Sequence, residues 1–540
     1  MEKKAIIHVE NSEGVVEFAR FLADAGWTIS SANKTEELLR RENIPVVKEN
    51  ALTLNNFFVN DLSGLIQKIV SSKNDNNYDY MIKKEDSFSL ICINMNPIMK
   101  FDAKIQDIEQ VLNPSVFFIS NVLRNACVNY KNLLILTDPA DYEEAMIQLR
   151  TDNISSEFRI YLAAKALNMI SAYDGGIASS VLLDRCLTNG KFMNYLMFPF
   201  VKQESYSTGT NPHQLSCLYR YPVDSGAVSG INKFSGAQVD YNSISDSAFA
   251  WEVISLLYSN LRTQYTMEST NCDGYNFTTQ CTPLIGTVFT IAVKYKSIIG
   301  ASLSSNVLDS IKNTYNFDSN DIDDISLGCS AVIDEQAAKE ILKTNILTVI
   351  APGFTTEAKE ILLENPKITL IPIVQPEISS FDLKMINGGL VFQTKDKTVF
   401  DHWNVKTKNR PNQFITDEMA FGMILAMSAD SHSAVLIKNN TIAGISQGCI
   451  SSIKAIDYAI RDAIELQNRN NQQENVDNVI ADVLVCDTQF PLTDSLKELI
   501  SKGLSAIIQT GGHQLDEELI KYCDERGVSL VFTGMTHISY

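Results

Sequence analysis

At 540 residues the chain is long enough for about three domains. Its 45 Lys and Arg stand against 64 Asp and Glu, and the resulting net charge of −19 argues against nucleic acid or an anionic membrane surface as a partner. Hydrophobic residues at 45% and charged residues at 20% are ordinary globular usage; no apolar run approaches the ~18 residues of a membrane span and no signal peptide opens the chain, so a cytoplasmic protein is expected.

The N-terminal part alternates strand and helix. Ala5 to Val9 is a β-type run. Ser12 is placed to cap a helix whose apolar face holds Val15, Phe18, Ala19 and Leu22, and Gly26 ends it. A strand starts at Trp27, a helix follows Thr35 through Leu39, and Ile44 to Val47 opens a third strand. Ser89 to Ile93 and Leu133 to Leu136 continue the series before Asp138-Pro139. Such alternation implies a parallel sheet covered on both faces, with ligands at the carboxyl ends of its strands. A helix over Glu157 to Ile177 closes the first unit. Two polar, Asn-rich stretches, Ser71 to Tyr80 and Gln467 to Asp477, read as solvated insertions.

From about residue 200 short strands again mix with helices: Leu347 to Ala351, Ile368 to Val374, Ala434 to Ile437, Ala506 to Gln509 and Leu530 to Thr533. This stretch is long enough for two similar halves, although the sequence shows no clear repeat. The ten cysteines contain no C-x-x-C pair and the six histidines no H-x-x-x-H spacing, so no metal site is expected. Cysteines in apolar runs, such as Cys486 after Val483-Leu484-Val485, read as buried free thiols.

An ordered set of motifs runs through the chain. Asp138-Pro139-Ala140-Asp141-Tyr142, Leu162-Ala163-Ala164-Lys165-Ala166 and Ala172-Tyr173-Asp174 come first. Asn211-Pro212-His213-Gln214, Gly236 to Asn242, Ile350 to Phe354 and Gly388 to Val391 follow. Phe490 to Asp494, Gln509-Thr510-Gly511-Gly512 and Val531 to Gly534 complete the order. In this sequence the chain resembles the bifunctional purine-biosynthesis enzymes, AICAR transformylase/IMP cyclohydrolase, over essentially its whole length. The resemblance implies an α/β protein: a methylglyoxal-synthase-like parallel-sheet domain over 1–195, then two cytidine-deaminase-like subdomains over 196–370 and 371–540. It also implies a homodimer, a nucleotide-like ligand and, as a formyl donor, a reduced folate (10-formyltetrahydrofolate). Ligand-binding positions carried over are Asn211, His213, Gln214, Gly511, Gly512, Thr533 and Gly534, although turn chemistry explains the glycine motifs equally well.

The family's catalytic positions are altered. In the cyclohydrolase-like part the tyrosine position is Asn96, the aspartate is Val116 and the lysine is Val128; two glycines become Phe118 and Ile119, while Arg124 keeps its place. The phosphate turn reads Ser31-Ala32-Asn33-Lys34-Thr35, in which Lys34 is either an anion contact or a solvated lysine. Valine neither transfers a proton nor carries charge, so ring closure is expected to be absent. In the transformylase-like part the Lys-His pair becomes Thr279-Gln280, and cation positions become Ser207, Asp430 and Ser452. Neither Thr nor Gln titrates near neutral pH.

His213 survives, either as a ligand contact or as a buried structural histidine. His432, His513 and His537 sit in or beside former site motifs; they are either chance surface residues or a new acid–base set at strand ends, with Asp516 or Asp430 as orienting acids. The expected function is that of a divergent family member with lost or altered activity on a nucleotide-like or folate-like ligand. The alternatives are a silent dimeric binding or scaffold protein, and the ordinary purine enzyme working through unrecognised substitutions.

Overall fold

A computed structural model describes residues 3–49, 69, 88–95, 114–189, 192–198, 200–220, 235–237, 239–261, 265–270, 276–281, 288–315, 317, 322–373, 381–399, 402–470 and 479–540. The chain forms two compact units, residues 1–201 with 220–224, and residues 202–219 with 225–540. Asn96 and the stretch 71–80 lie outside the described residues.

The first unit holds β1 (Lys4–His8), α1 (Val15–Asp24), β2 (Thr28–Ser31), α2 (Asn33–Arg41), β3 (Val47–Lys48), β4 (Leu90–Ile93), α3 (Pro114–Val128), β5 (Leu134–Leu136), α4 (Tyr142–Arg150) and α5 (Ser156–Asn189). The strands lie in the order β3-β2-β1-β4-β5, each pair parallel. One core packs on each face: Phe18, Leu22 and Leu162 on one, Val122, Leu123 and Ala166 on the other. This is the expected parallel sheet, buried on both sides.

Local details differ from expectation. Ser12 gives no side-chain cap: Gly14 occupies the cap position of α1, and the Ser12 carbonyl accepts from Val15 N–H instead. Helix α2 begins at Asn33, and the Thr35 hydroxyl inside it is buried against the Val9 backbone just after β1 rather than capping from outside. The third strand is only Val47–Lys48, and the long helix runs past Ile177 to Asn189.

The second unit begins with a hairpin, β6 (Val201–Tyr206) and β7 (Ser216–Arg220). A chain repeat follows. Its first copy is β8 (Ser235–Gly236), α6 (Tyr241–Leu261), an inserted pair β9 (Tyr265–Thr270) and β10 (Asn276–Cys281), then β11 (Val288–Lys294), β12 (Ser297–Ser304), α7 (Val307–Thr314), β13 (Ile325–Cys329), α8 (Glu335–Ile341), β14 (Ile346–Ala351), α9 (Thr356–Leu362) and β15 (Thr369–Pro372). A hairpin, β16 (Phe381–Ile386) and β17 (Gly389–Thr394), separates it from the second copy. That copy is β18 (His402–Val405), α10 (Gln413–Ser428), β19 (Ala434–Lys438), β20 (Thr441–Ser446), α11 (Ser452–Asn470), β21 (Val483–Cys486), α12 (Asp494–Ser501), β22 (Ala506–Gln509), α13 (Asp516–Arg526) and β23 (Ser529–Phe532). Helix α11 thus takes in Gln467 to Asn470, the start of the expected insertion; its apolar face carries it that far.

The two copies have the same strand order, β12-β11-β13-β14-β15-β8 and β20-β19-β21-β22-β23-β18, and join edge to edge through β12 and β20 in one 14-stranded sheet. The expected boundary near 370 falls within this sheet. The repeat invisible in the sequence is detailed in the structure. Both hairpins carry an irregularity at the same place, between Ala292 and Val293 and between Leu436 and Ile437. Both turn through two residues of positive φ, Tyr295-Lys296 and Asn439-Asn440, which matches the right-handed twist of the strands. A buried carboxylate on the preceding helix receives each turn: Asp246 accepts from the N–H groups of Tyr295 (2.9 Å) and Lys296 (2.7 Å), and Glu418 accepts from Asn440 N–H (2.7 Å). Gly300 and Gly444 occupy equivalent positions, and a methyl on either would stand 2.2 Å or 2.4 Å from a helix carbonyl. Where α6 carries Ala250 against Gly328, α10 carries Gly422 against Val485, so the small and large residues have changed sides.

Candidate functional site

In the first unit the carboxyl ends of β1, β2 and β4 converge as the parallel topology requires. The loop after β1 is closed by Asn94, whose Oδ1 accepts from the N–H groups of Glu10 (2.7 Å) and Asn11 (3.0 Å) and whose Nδ2 donates to the Asn11 carbonyl (2.9 Å). Two amides that an anion would need are therefore taken. Thr35 Oγ1 accepts from Val9 N–H and donates to the Val9 carbonyl, both at 3.0 Å. His8 is buried, and burial lowers its pKa against the opposing charge of Glu10.

The expected positions here are scattered. Lys34 is exposed on α2. Arg124 is exposed and paired with Asp174. Val128 is 75% exposed at the end of α3, and Val116 lies at the start of that helix. Lys165, by contrast, holds Asp138 and Asp141 at 2.8 Å each and ties the turn over Pro139–Asp141 to α5.

In the second unit the carboxyl ends of the parallel strands β21, β22 and β23 present three loops, beginning at Asp487, Thr510 and Thr533. A fourth segment, Asp430 to Ser433, enters β19 beside β21. Asp487 is buried and accepts from Ser431 Oγ–H. Burial pushes its carboxyl up, opposed by the donors Ser431, Ser433 and Thr488 and by the nearby His432. The Ser431 hydroxyl also accepts from Ser539 N–H (3.0 Å), fixing the C-terminal segment. The Cys486 thiol beneath is pushed up to about 12 by burial, as is Cys329 at the equivalent place of the first copy. Cys92, Cys127 and Cys523 are also buried free thiols, whereas Cys217 and Cys449 are half-buried.

The histidines named from the sequence are separately engaged. His432 Nδ1 bonds Thr488 Oγ1 at 2.9 Å. His513 Nδ1 accepts from Leu515 N–H at 3.1 Å. His537 Nδ1 lies 2.7 Å from Asp396 Oδ2, and its buried Nε2 has no protein partner. Asp516 receives Gly512 N–H (2.7 Å) on Oδ2 rather than a histidine, and Asp430, which is exposed, gives its carbonyl to Gly448 N–H. Asp396 and Asp487 were missed. Asp487 carried a signal, a polar residue directly after a buried apolar strand; Asp396 carried none.

The Gly511-Gly512 turn follows β22 and has positive φ at both residues. Gln509, buried at the end of β22, gives Oε1 to Phe490 N–H (2.8 Å) and leaves Nε2 buried without a partner. Asp516 Oδ1 is buried and unpaired as well. Thr533 Oγ1 donates to the Met535 carbonyl (3.0 Å), and Gly534 N–H donates to the Thr510 carbonyl (3.0 Å), so both are turn residues. Asn211 to Gln214 form an exposed turn in which Gln214 Oε1 accepts from Asn211 N–H (2.9 Å). His213 is exposed there, which removes the buried structural reading. Thr279 and Gln280 lie on β10, paired with Met267 and Thr266.

The family model described as AICARFT/IMPCHase bienzyme matches residues 126–462, more than half of the chain. The bifunctional purine biosynthesis protein PurH of Clostridium acetobutylicum is 28% identical over 555 residues, covering 100% of both chains. The proteins of the same description from Brachyspira hyodysenteriae and Petrotoga mobilis are each 27% identical, again over 100% of both chains.

Proposed function

Because the chain belongs to the AICARFT/IMPCHase bienzyme family, we propose that its second unit binds a nucleotide-like or folate-like ligand at the carboxyl ends of β21–β23, while neither family reaction runs at a useful rate. One observation supports the binding: three buried polar atoms without protein partners, Gln509 Nε2 at the end of β22, Asp516 Oδ1 at the start of α13 and His537 Nε2 after β23, all lie toward the carboxyl ends of these strands. Each such atom costs about 1–3 kcal/mol, which a ligand offering the missing partners recovers.

A reduced folate suits this set in part. The amide and amino edge of its pteridine calls for both a donor and an acceptor, and Gln509 Nε2 with Asp516 Oδ1 supplies them. It would bring a formyl group. Moving that group to a weak amine also requires a base and an oxyanion stabiliser, and Thr279 and Gln280 supply neither at neutral pH. His537, held by Asp396, is one of the histidines at these strand ends that could stand in their place. In the first unit the closed β1 loop and the exposed Val128 support a silent cyclohydrolase-like domain.

The reading includes a homodimer. Its support is apolar surface on the two hairpins, with Leu215 on the β6–β7 loop and Met385 on β16 both largely exposed. Light scattering should give about 120 kDa, twice the 60.1 kDa chain.

The test is a thermal-shift titration of the full chain with AICAR, IMP, 10-formyltetrahydrofolate and folic acid. A saturable rise in melting temperature with at least one compound, lost in His537→Ala or Gln509→Ala, supports the binding. No response from either class leaves the scaffold reading.

A further inference from the structure

The two repeat copies meet along β12 and β20, and this joint is not closed. The edges pair at Ser302 and Thr441, and Leu303 N–H reaches the Asn440 carbonyl at 2.9 Å. Beyond that point side chains stand where a neighbouring strand would. The Gln447 amide bonds both backbone groups of Ile298, accepting from its N–H at 3.1 Å and donating to its carbonyl at 2.8 Å. Asp462 Oδ2 accepts from Ile445 N–H at 2.9 Å. The sheet edges are thereby satisfied while held apart.

A cavity of about 320 Å³ occupies the wedge, on the side covered by α7 and α11. That volume is at the small end of organic-ligand pockets. Gly300 and Ile442 lie on its strands, Phe317 follows α7, and α11 contributes Asp462, Glu465 and Arg469. Gly300 keeps α7 close, since a methyl there would meet the Thr314 carbonyl at 2.2 Å. None of these residues belongs to the cleft at β21–β23.

We propose that this wedge is a binding site for a small amphipathic organic cation, an amine or amidine on a short apolar or aromatic body. Apolar strand residues and Phe317 suit the body. Two carboxylates against one guanidinium suit a cationic head, and the net charge of −19 favours cations around the whole chain. A carboxylate has about four acceptor positions, so Asp462 has capacity beyond the one bond to Ile445. A ligand here touches both copies of the repeat and therefore also strengthens their joint.

The test is calorimetric titration of the full chain with benzamidine, against benzoate and benzyl alcohol as anionic and neutral bodies of similar size. Benzamidine should bind with a millimolar or tighter Kd, and both controls at least about tenfold more weakly. Glu465 is exposed, so Glu465→Gln leaves the fold intact and should weaken benzamidine about threefold or more. Leu466→Trp fills the wedge and should abolish binding, with circular dichroism confirming the fold. Equal binding of benzoate, no binding of benzamidine at 10 mM (roughly tenfold above a millimolar Kd), or unchanged binding in a folded Leu466→Trp variant overturns the proposal.

Discussion

His537 Nδ1 and Asp396 Oδ2 stand 2.7 Å apart across 141 residues of sequence, and the histidine side chain is 1% exposed. The pair ties the segment after β23 to the segment after β17. Asp396→Ala leaves a buried ring nitrogen without its partner and should destabilise the protein by about 1–3 kcal/mol in urea unfolding. Asp396→Asn keeps an acceptor and should cost less than half as much. Equal losses would mean that packing, not the hydrogen bond, holds the segment.

Glu418 makes stability depend on pH. Its side chain is fully buried, Oε2 has no partner, and its pKa is raised from 4.5 to about 7, by burial first and by the charge of Asp482, against the opposing Asn440 N–H. The folded state therefore holds the proton more tightly than the unfolded chain. Its cost is absent below about pH 4.5 and complete above about pH 7, so this group lowers stability as pH rises between them, by roughly 3 kcal/mol at 1.36 kcal/mol per unit. Glu418→Gln keeps an acceptor for Asn440 N–H and removes the charge. It should be more stable than the parent at pH 8 and nearly equal to it at pH 4.5. A difference independent of pH would remove this role.

The exchanged small and large residues give a third prediction. Gly422→Ala places a methyl 2.5 Å from Val485 Cγ2 and should cost about 1–3 kcal/mol through overpacking. Val485→Ala in the same chain should restore a good part of that loss, because it recreates the arrangement of Ala250 over a small strand residue. Additive losses in the double variant would show that the two copies do not share this packing.

The parallel sheet of the first unit was legible because its strands are short apolar runs between helices with clear 3.6-residue periodicity, as in Val15 to Leu22. The repeat in the second unit was not. It is kept by positive-φ turns, matching bulges and buried carboxylates at Asp246 and Glu418, which different residue types satisfy, and the larger residue of one helix–strand contact is on the helix at Ala250 in the first copy but on the strand at Val485 in the second. The candidate site follows the same division. Gln509, Gly511 and Gly512 stand at a strand end, where a parallel sheet puts ligands, but the partner of His537 lies 141 residues away and no local pattern points to it.

Gly511 is the position where the cleft tolerates least. Its φ is +75°, and a methyl there would stand 2.4 Å from the Phe532 ring. Gly511→Ala should destabilise the protein by about 1–3 kcal/mol and weaken any ligand held by Gln509. At Gly512, φ +93°, a methyl would stand 3.3 Å from the flexible Gln489 side chain. Gly512→Ala should therefore show backbone strain with a smaller total loss.

A protein that keeps the family fold without the family chemistry transfers no formyl group. Turnover of AICAR with 10-formyltetrahydrofolate by the full-length protein should be at least about 10⁴-fold below an ordinary enzyme rate, taking the missing base and oxyanion stabiliser at roughly 10²-fold each. No product should form above the protein-free background over hours at micromolar protein. Turnover of about 1 s⁻¹ or faster, the lower end of usual enzyme rates, would contradict it.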